Sequence, residues 1–104
     1  MAPESIQIEV RKTAAFDRWF RKLRDSQARS RLLARVRRMS FGNFGDARAV
    51  GGGVFELRVD HGPGYRVYFV LRGPGDVVLL CAGDKRTQDA DIRLARRMSK
   101  NLSE

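Results

Sequence analysis

The sequence predicts an α+β domain in which helices pack on a small antiparallel sheet, in the order β-α-α-β-β-β-α. Three observations carry this reading. The first residues alternate in polarity as a strand does. Two stretches before residue 40 carry apolar residues at helical spacing. Residues 54–82 then hold three strand-like runs joined by two tight turns.

In order, Ile6, Ile8 and Val10 alternate with Gln7, Glu9 and Arg11, the period of a half-buried strand. Thr13 offers a helix cap. Phe16, Trp19, Phe20 and Leu23 follow at i, i+3, i+4 and i+7, an apolar stripe for a core. Asp25-Ser26 breaks this helix, and Ser26 is placed to cap a second one. There Ala28, Leu32, Leu33, Val36 and Met39 share one side, with Arg31, Arg35, Arg37 and Arg38 off it. So short a break favours a helical hairpin. Residues 42–53 are glycine-rich and read as an irregular loop.

The run Val54–Asp60 sets Phe55, Leu57 and Val59 on one face and Glu56, Arg58 and Asp60 on the other. His61-Gly62-Pro63-Gly64 is turn chemistry, as is Gly73-Pro74-Gly75-Asp76. Between them lies a strand from Tyr65 to Arg72. Val77–Ala82 is apolar on both faces, as a covered central strand is. Thr87 is placed to cap a last helix whose inner side is Leu94, Ala95, Met98 and Leu102. Strands that follow one another in a meander pair antiparallel. There is no repeat, low-complexity tract or linker, and residues 1–104 read as a single domain.

Composition narrows the function. A chain of 104 residues with 42% hydrophobic residues builds one modest core, to which a partner would add stability. Twenty-one Lys+Arg against 12 Asp+Glu give a formal charge of +9 and a pI near 11.0. Such a surface attracts polyanions, nucleic acid above all; simple solubility is the plainer explanation. No run approaches the roughly 20 apolar residues of a membrane span. The segment from Met1 to Glu9 has no apolar signal-peptide core. The single cysteine, Cys81, has Leu79, Leu80 and Ala82 as neighbours and reads as a buried, inert thiol. A cytoplasmic protein is expected.

The residues able to do chemistry cluster late. With the first turn centred near Gly62, Arg58 and Arg66 fall opposite each other, about 5 Å apart at Cβ. Glu56 and Tyr68 form the next pair on that face. Two arginines so close repel unless an anion lies between them or a carboxylate compensates. A phosphate clamp and an arginine–glutamate network on a solvated face are both open. Gly83-Asp84-Lys85-Arg86 leaves the apolar strand just before a helix, where backbone amides and cations favour anions. In a meander this segment lies near Arg66, so Arg66 and Lys85 would converge. His61 is the only histidine and has the titration range of a general base, although a turn histidine is more often simply exposed. Arg93, Arg96, Arg97 and Lys100 make a basic helical stripe, suited to RNA or to plain solvation. No nucleotide-binding glycine loop, metal-ligand pair or serine-type triad occurs, so neither metal nor cofactor is expected.

These motifs carry a family resemblance. Val50-Gly51-Gly52-Gly53-Val54-Phe55-Glu56-Leu57-Arg58, then Gly64-Tyr65-Arg66-Val67-Tyr68, then Cys81-Ala82-Gly83-Asp84-Lys85 resemble, in order and spacing, the HigB-like addiction module killer proteins of the RelE/ParE toxin superfamily. Phe16, Trp19 and the segment Gln88–Asp91 fit it too. The resemblance implies an antiparallel sheet flanked by helices, with Arg66 where RNA-cutting members hold the cleaved phosphate. Lys85 or Arg86 would stand for the cations after the last strand. The sequence departs from RelE in carrying Glu56 and Arg58 where RelE has a lysine pair, and in lacking its late tyrosine.

The resemblance implies the toxin of a type II toxin–antitoxin system, a ribosome-dependent endoribonuclease that cuts mRNA by 2′-OH attack on the adjacent phosphate. Arg66 and Arg58 would stabilise the phosphate, Lys85 or Arg86 would assist, and Glu56 or His61 would be the base. Arg35 and Arg38 on the second helix, with Arg93, Arg96, Arg97 and Lys100 on the last, would dock ribosomal RNA. The partners implied are the ribosome, its mRNA and a helix-turn-helix antitoxin. A ParE-like toxin that inhibits gyrase and a non-catalytic RNA-binding module are the alternatives, because one fold hosts several functions.

Overall fold

Residues 7–102 are described by the computed structural model, and their backbone follows the expected α+β order with one strand added. The elements are β1 (Glu9–Lys12), α1 (Ala14–Lys22), α2 (Ser26–Ser40), β2 (Ala47–Gly51), β3 (Val54–Val59), β4 (Tyr65–Arg72), β5 (Asp76–Asp84), a 3₁₀ turn (Lys85–Thr87) and α3 (Gln88–Lys100). Ile6, which the alternation assigns to the first strand, lies outside the described residues.

One sheet runs in the order β1-β5-β4-β3-β2. β2 to β5 form an antiparallel meander, and β1 joins the far edge parallel to β5. Thr13 fixes that junction. Its N–H donates to Leu79 O and its hydroxyl to Leu80 O, while Oγ1 accepts from Phe16 N and caps α1.

Side-chain alternation distributes the strands between two layers of helix. Leu57, Val59, Val67, Phe69, Val77 and Leu79 face α1 and α2, which contribute Phe16, Ala28, Leu32 and Met39. Val54, Tyr68, Val70, Val78 and Leu80 face α3 and its Ala95. β5 is buried along nearly its whole length, as its run of apolar residues predicts.

Four sequence expectations need correction. Residues 47–51 are a strand, not loop: Gly52 and Gly53, at φ 64° and 78°, make the tight reversal that folds β2 onto β3. The cap of α2 is Asp25, whose Oδ1 accepts from the amides of Gln27 and Ala28; Ser26 is the first helical residue. Thr87 stands at the start of α3 without capping it, because its hydroxyl donates to Asp91 Oδ2 instead. Leu33 and Leu94 turn away from the core and are 50% and 37% exposed, and Ile92 with Ala95 takes the inner place on α3.

Candidate functional site

The β3–β4 hairpin sets its residues in the register expected from a turn centred on Gly62: Arg58 pairs with Arg66 and Glu56 with Tyr68. The neighbouring strands extend both rows. Arg48 on β2 lies beside Glu56, and Gly83 on β5 lies beside Arg66. The face under α3 is therefore apolar at one end and charged at the other.

Glu56 is the hub of the charged end and is wholly buried. Its Oε1 accepts from Arg48 Nε at 3.0 Å; its Oε2 accepts from Tyr68 Oη at 3.1 Å and from Gln88 Nε2 at 2.8 Å. Burial raises the proton affinity of this carboxyl, but the hydrogen bonds from Gln88, Arg48 and Tyr68 outweigh it and hold its pKa below the ordinary value. Tyr68, desolvated beside this carboxylate, has its pKa raised and keeps its proton.

Arg66 reaches the same carboxylate without bonding to it. Its Nε stands 3.8 Å from Glu56 Oε2, buried and with no hydrogen-bond partner, while Nη1 donates to Gly64 O at 2.8 Å. The side chain is 11% exposed and lines a cleft of about 240 Å³ together with Asp46, Arg58, Val59, Asp60, Gly64 and Tyr65. Arg58 is held at the cleft by Asp46, with Nε 3.0 Å from Oδ2.

Gly83 explains how α3 comes so close. A Cβ built there would overlap Asp91 Oδ2 and stand 2.7 Å from Thr87 Oγ1, so only glycine leaves room for the Thr87–Asp91 pair on the sheet beside Arg66. Burial raises the pKa of Asp91, and so, in smaller part, does the charge of Asp84. Cys81, whose thiol lies 3.7 Å from Asp91 O, is buried, and its pKa is pushed up to about 12 by desolvation and by the nearby carboxylate.

The other residues singled out in the sequence are dispersed. Lys85 is exposed on the 3₁₀ turn; a Cβ placed on Gly64 would lie 3.8 Å from Lys85 Cβ, so its stem borders the Arg66 side of the cleft. Arg86 points elsewhere and pairs with Asp84 at 3.1 Å, which raises its pKa. His61 Nε2 lies 3.1 Å from Asp25 Oδ2, tying the β3–β4 turn to the start of α2, and it does not line the cleft. Arg35 donates to Arg58 O at 2.7 Å and to Phe44 O at 3.4 Å, and Arg96 donates to Val50 O; both brace backbone. Arg38, Arg93, Arg97 and Lys100 are exposed. Among the described residues no group of three or more His, Cys, Asp and Glu comes together as metal ligands, and no helix is long and apolar enough to cross a membrane.

Sequence reasoning missed Arg48, Asp46 and Gln88. Counting alone would not have found Arg48: a turn at Gly52-Gly53 pairs Gly51 with Val54 and, by regular alternation, Ala49 with Glu56, and only the register shift between Ala49 and Gly51 brings Arg48 into that place. Gln88 gave no signal either, because its contact with Glu56 spans 32 residues and depends on the docking of α3.

Fold and site together define a small α+β protein, one sheet between two layers of helix, that opens an arginine-lined cleft at one end of its sheet. The chain belongs to the family of phage-derived Gp49-like proteins (DUF891), whose profile matches residues 18–100, a RelE/addiction-module type of toxin family. It is also similar to an uncharacterized protein of Haemophilus influenzae, at 46% identity over 95 residues, which covers 91% of this chain and 96% of that protein. The matched span holds every residue of the cleft and of the Glu56 hub.

Proposed function

We propose that this chain is the toxin of a type II toxin–antitoxin pair and acts as a ribosome-dependent endoribonuclease on mRNA, of the HigB-like kind. The observation that carries the reading is the pair Arg58–Arg66, directly opposed across β3 and β4 at the mouth of one cleft, with the guanidinium of Arg66 not hydrogen-bonded to any carboxylate. Cations so placed stabilise the charge that develops on a phosphate when a neighbouring 2′-OH attacks it. Lys85, at the border of the cleft, is the third cation. Arg86 is engaged with Asp84, as Arg58 is with Asp46, but unlike Arg58 it does not line the cleft.

Neither expected base suits the work. Glu56 is buried, accepts three hydrogen bonds and is reluctant to take a proton, and His61 is committed to Asp25 away from the cleft. Glu56 is better read as the group that fixes the arginines. A site rich in phosphate-binding cations and poor in proton carriers depends on its substrate being held in an attacking geometry, which the decoding site of the ribosome would provide. The exposed cations Arg38, Arg93, Arg97 and Lys100 would contact ribosomal RNA through its phosphates. A helix-turn-helix antitoxin would neutralise the same surface.

Brief induction of the chain in growing bacteria, followed by primer extension on abundant messages, tests the reading. Cuts at fixed positions within translated codons are expected, and Arg66→Ala should abolish them. DNA breaks with an SOS response and intact messages would point to gyrase instead, and neither effect would leave an RNA-binding module.

A further inference from the structure

We infer that Gln88, at the first turn of α3, is a positioning residue that keeps Arg66 from closing onto Glu56. The inference rests, for its functional consequence, on the reading of Arg66 as the phosphate-binding arginine. Its structural content stands separately. A carboxylate oxygen offers two lone-pair directions, and Glu56 Oε2 has both occupied, by Tyr68 Oη and by Gln88 Nε2. Arg66 Nε is the nearest further donor, at 3.8 Å, and it is the one buried side-chain polar atom without a partner among the described residues.

A buried N–H without an acceptor is costly, and a guanidinium beside a carboxylate ordinarily forms a two-bond fork. Here that fork is blocked. Oε1 faces Arg48, and Oε2 is filled from α3 and β4. Arg66 is thus attracted by the charge of Glu56, while its Nη1 donates to Gly64 O and its side chain lines the cleft. Were Gln88 absent, Oε2 would have a lone pair free and Arg66 would move less than 1 Å to take it. Its charge would then be neutralised from within. Because Gln88 comes from α3 and Arg66 from β4, the seating of α3 on the sheet sets how the arginine is presented.

The test is Gln88→Met, which keeps the length and volume of the side chain and removes the donor. Nitrogen–proton NMR of the arginine side chains reads Arg66 directly, with Arg66→Lys identifying its signal. In the wild type the Arg66 Nε–H is expected at the position of a guanidinium N–H without a hydrogen bond. In Gln88→Met it should move downfield and exchange more slowly, and Tyr68→Phe should shift it the same way. A role in packing alone would not move it. Cleavage of ribosome-bound mRNA should fall by about tenfold in Gln88→Met, less than for loss of the arginine itself. An Nε–H unchanged in both variants, each folded by its melting curve, overturns the inference. A signal that moves while cutting is unaffected upholds the hold on Arg66 and overturns instead the assignment of the phosphate to it.

Discussion

The two faces of the sheet are made by the same alternation of residues and do opposite things. The face under α1 and α2 is apolar throughout and rich in aromatic contacts; Phe69 stacks between Phe44 and Phe55 at centroid distances of 5.7 and 5.5 Å. The face under α3 begins the same way with Val54, Val70 and Val78 and then turns to Glu56, Arg58 and Arg66. One wholly buried carboxylate there holds three hydrogen bonds and attracts a fourth group that it does not bind. Hydrocarbon in that place would be as stable or more so. The comparison teaches that the first face supplies stability and the second uses some of it to aim an arginine.

Substitutions should separate the faces. The largest loss of stability is expected for Phe69→Ala, about 3–5 kcal/mol by large-to-small truncation of a buried ring, measured by denaturant melts. Whatever protein remains folded should cut mRNA as the wild type does. Glu56→Gln should follow, at about 3 kcal/mol, because it leaves Arg48 and Arg66 without their shared counter-charge. This variant also carries a pH signature. The folded-state pKa of Glu56 is lowered, so its contribution is present above the unfolded carboxylate pKa and is lost as pH falls through the folded value. The gap in melting temperature between wild type and Glu56→Gln should therefore close on acidification below the ordinary carboxylate range. A gap constant with pH would remove the hub from the account.

Cys81 gives a finer check on the α3 face. Buried, and with its pKa pushed up to about 12, it should resist iodoacetamide at neutral pH until denaturant is added. Rapid labelling of the native protein would mean that α3 lifts readily from the sheet. The smallest effect is expected for Leu33→Gln, within about 0.5 kcal/mol, because this leucine is 50% exposed. Leu32→Ala next to it should cost several times more, about 2–5 kcal/mol. Equal costs would mean that the face of α2 has been misassigned.

Much of this was legible in the sequence, for reasons that show where such reading stops. The Arg58–Arg66 and Glu56–Tyr68 pairs follow from a four-residue turn and the two-residue period of strands, both local properties. β2 was hidden because glycines that make a tight reversal also look like a loop. The parallel pairing of β1 with β5 joins residues nearly seventy apart, as does the Thr13 hydroxyl bond to Leu80 across 67 positions, and no local pattern encodes it. At the site, Arg66 and Arg58 could be named from type and register. Their settings could not: that Glu56 is sealed under Gln88, that Arg86 turns to Asp84, and that His61 turns to Asp25 all depend on how helices and turns dock.

On the proposed reading, Arg66 meets the phosphate of a message held on the ribosome. That reading is tested most directly by single-turnover cutting of one labelled mRNA, naked and in a programmed ribosome, by the wild type and by Arg66→Ala. The wild type should cut the ribosome-bound message at a defined codon and leave the naked one nearly intact. Arg66→Ala, with its fold verified by melting, should cut about 10²–10³ times more slowly on the ribosome. Equal cutting by the two proteins, or efficient cutting of naked RNA, would contradict the account.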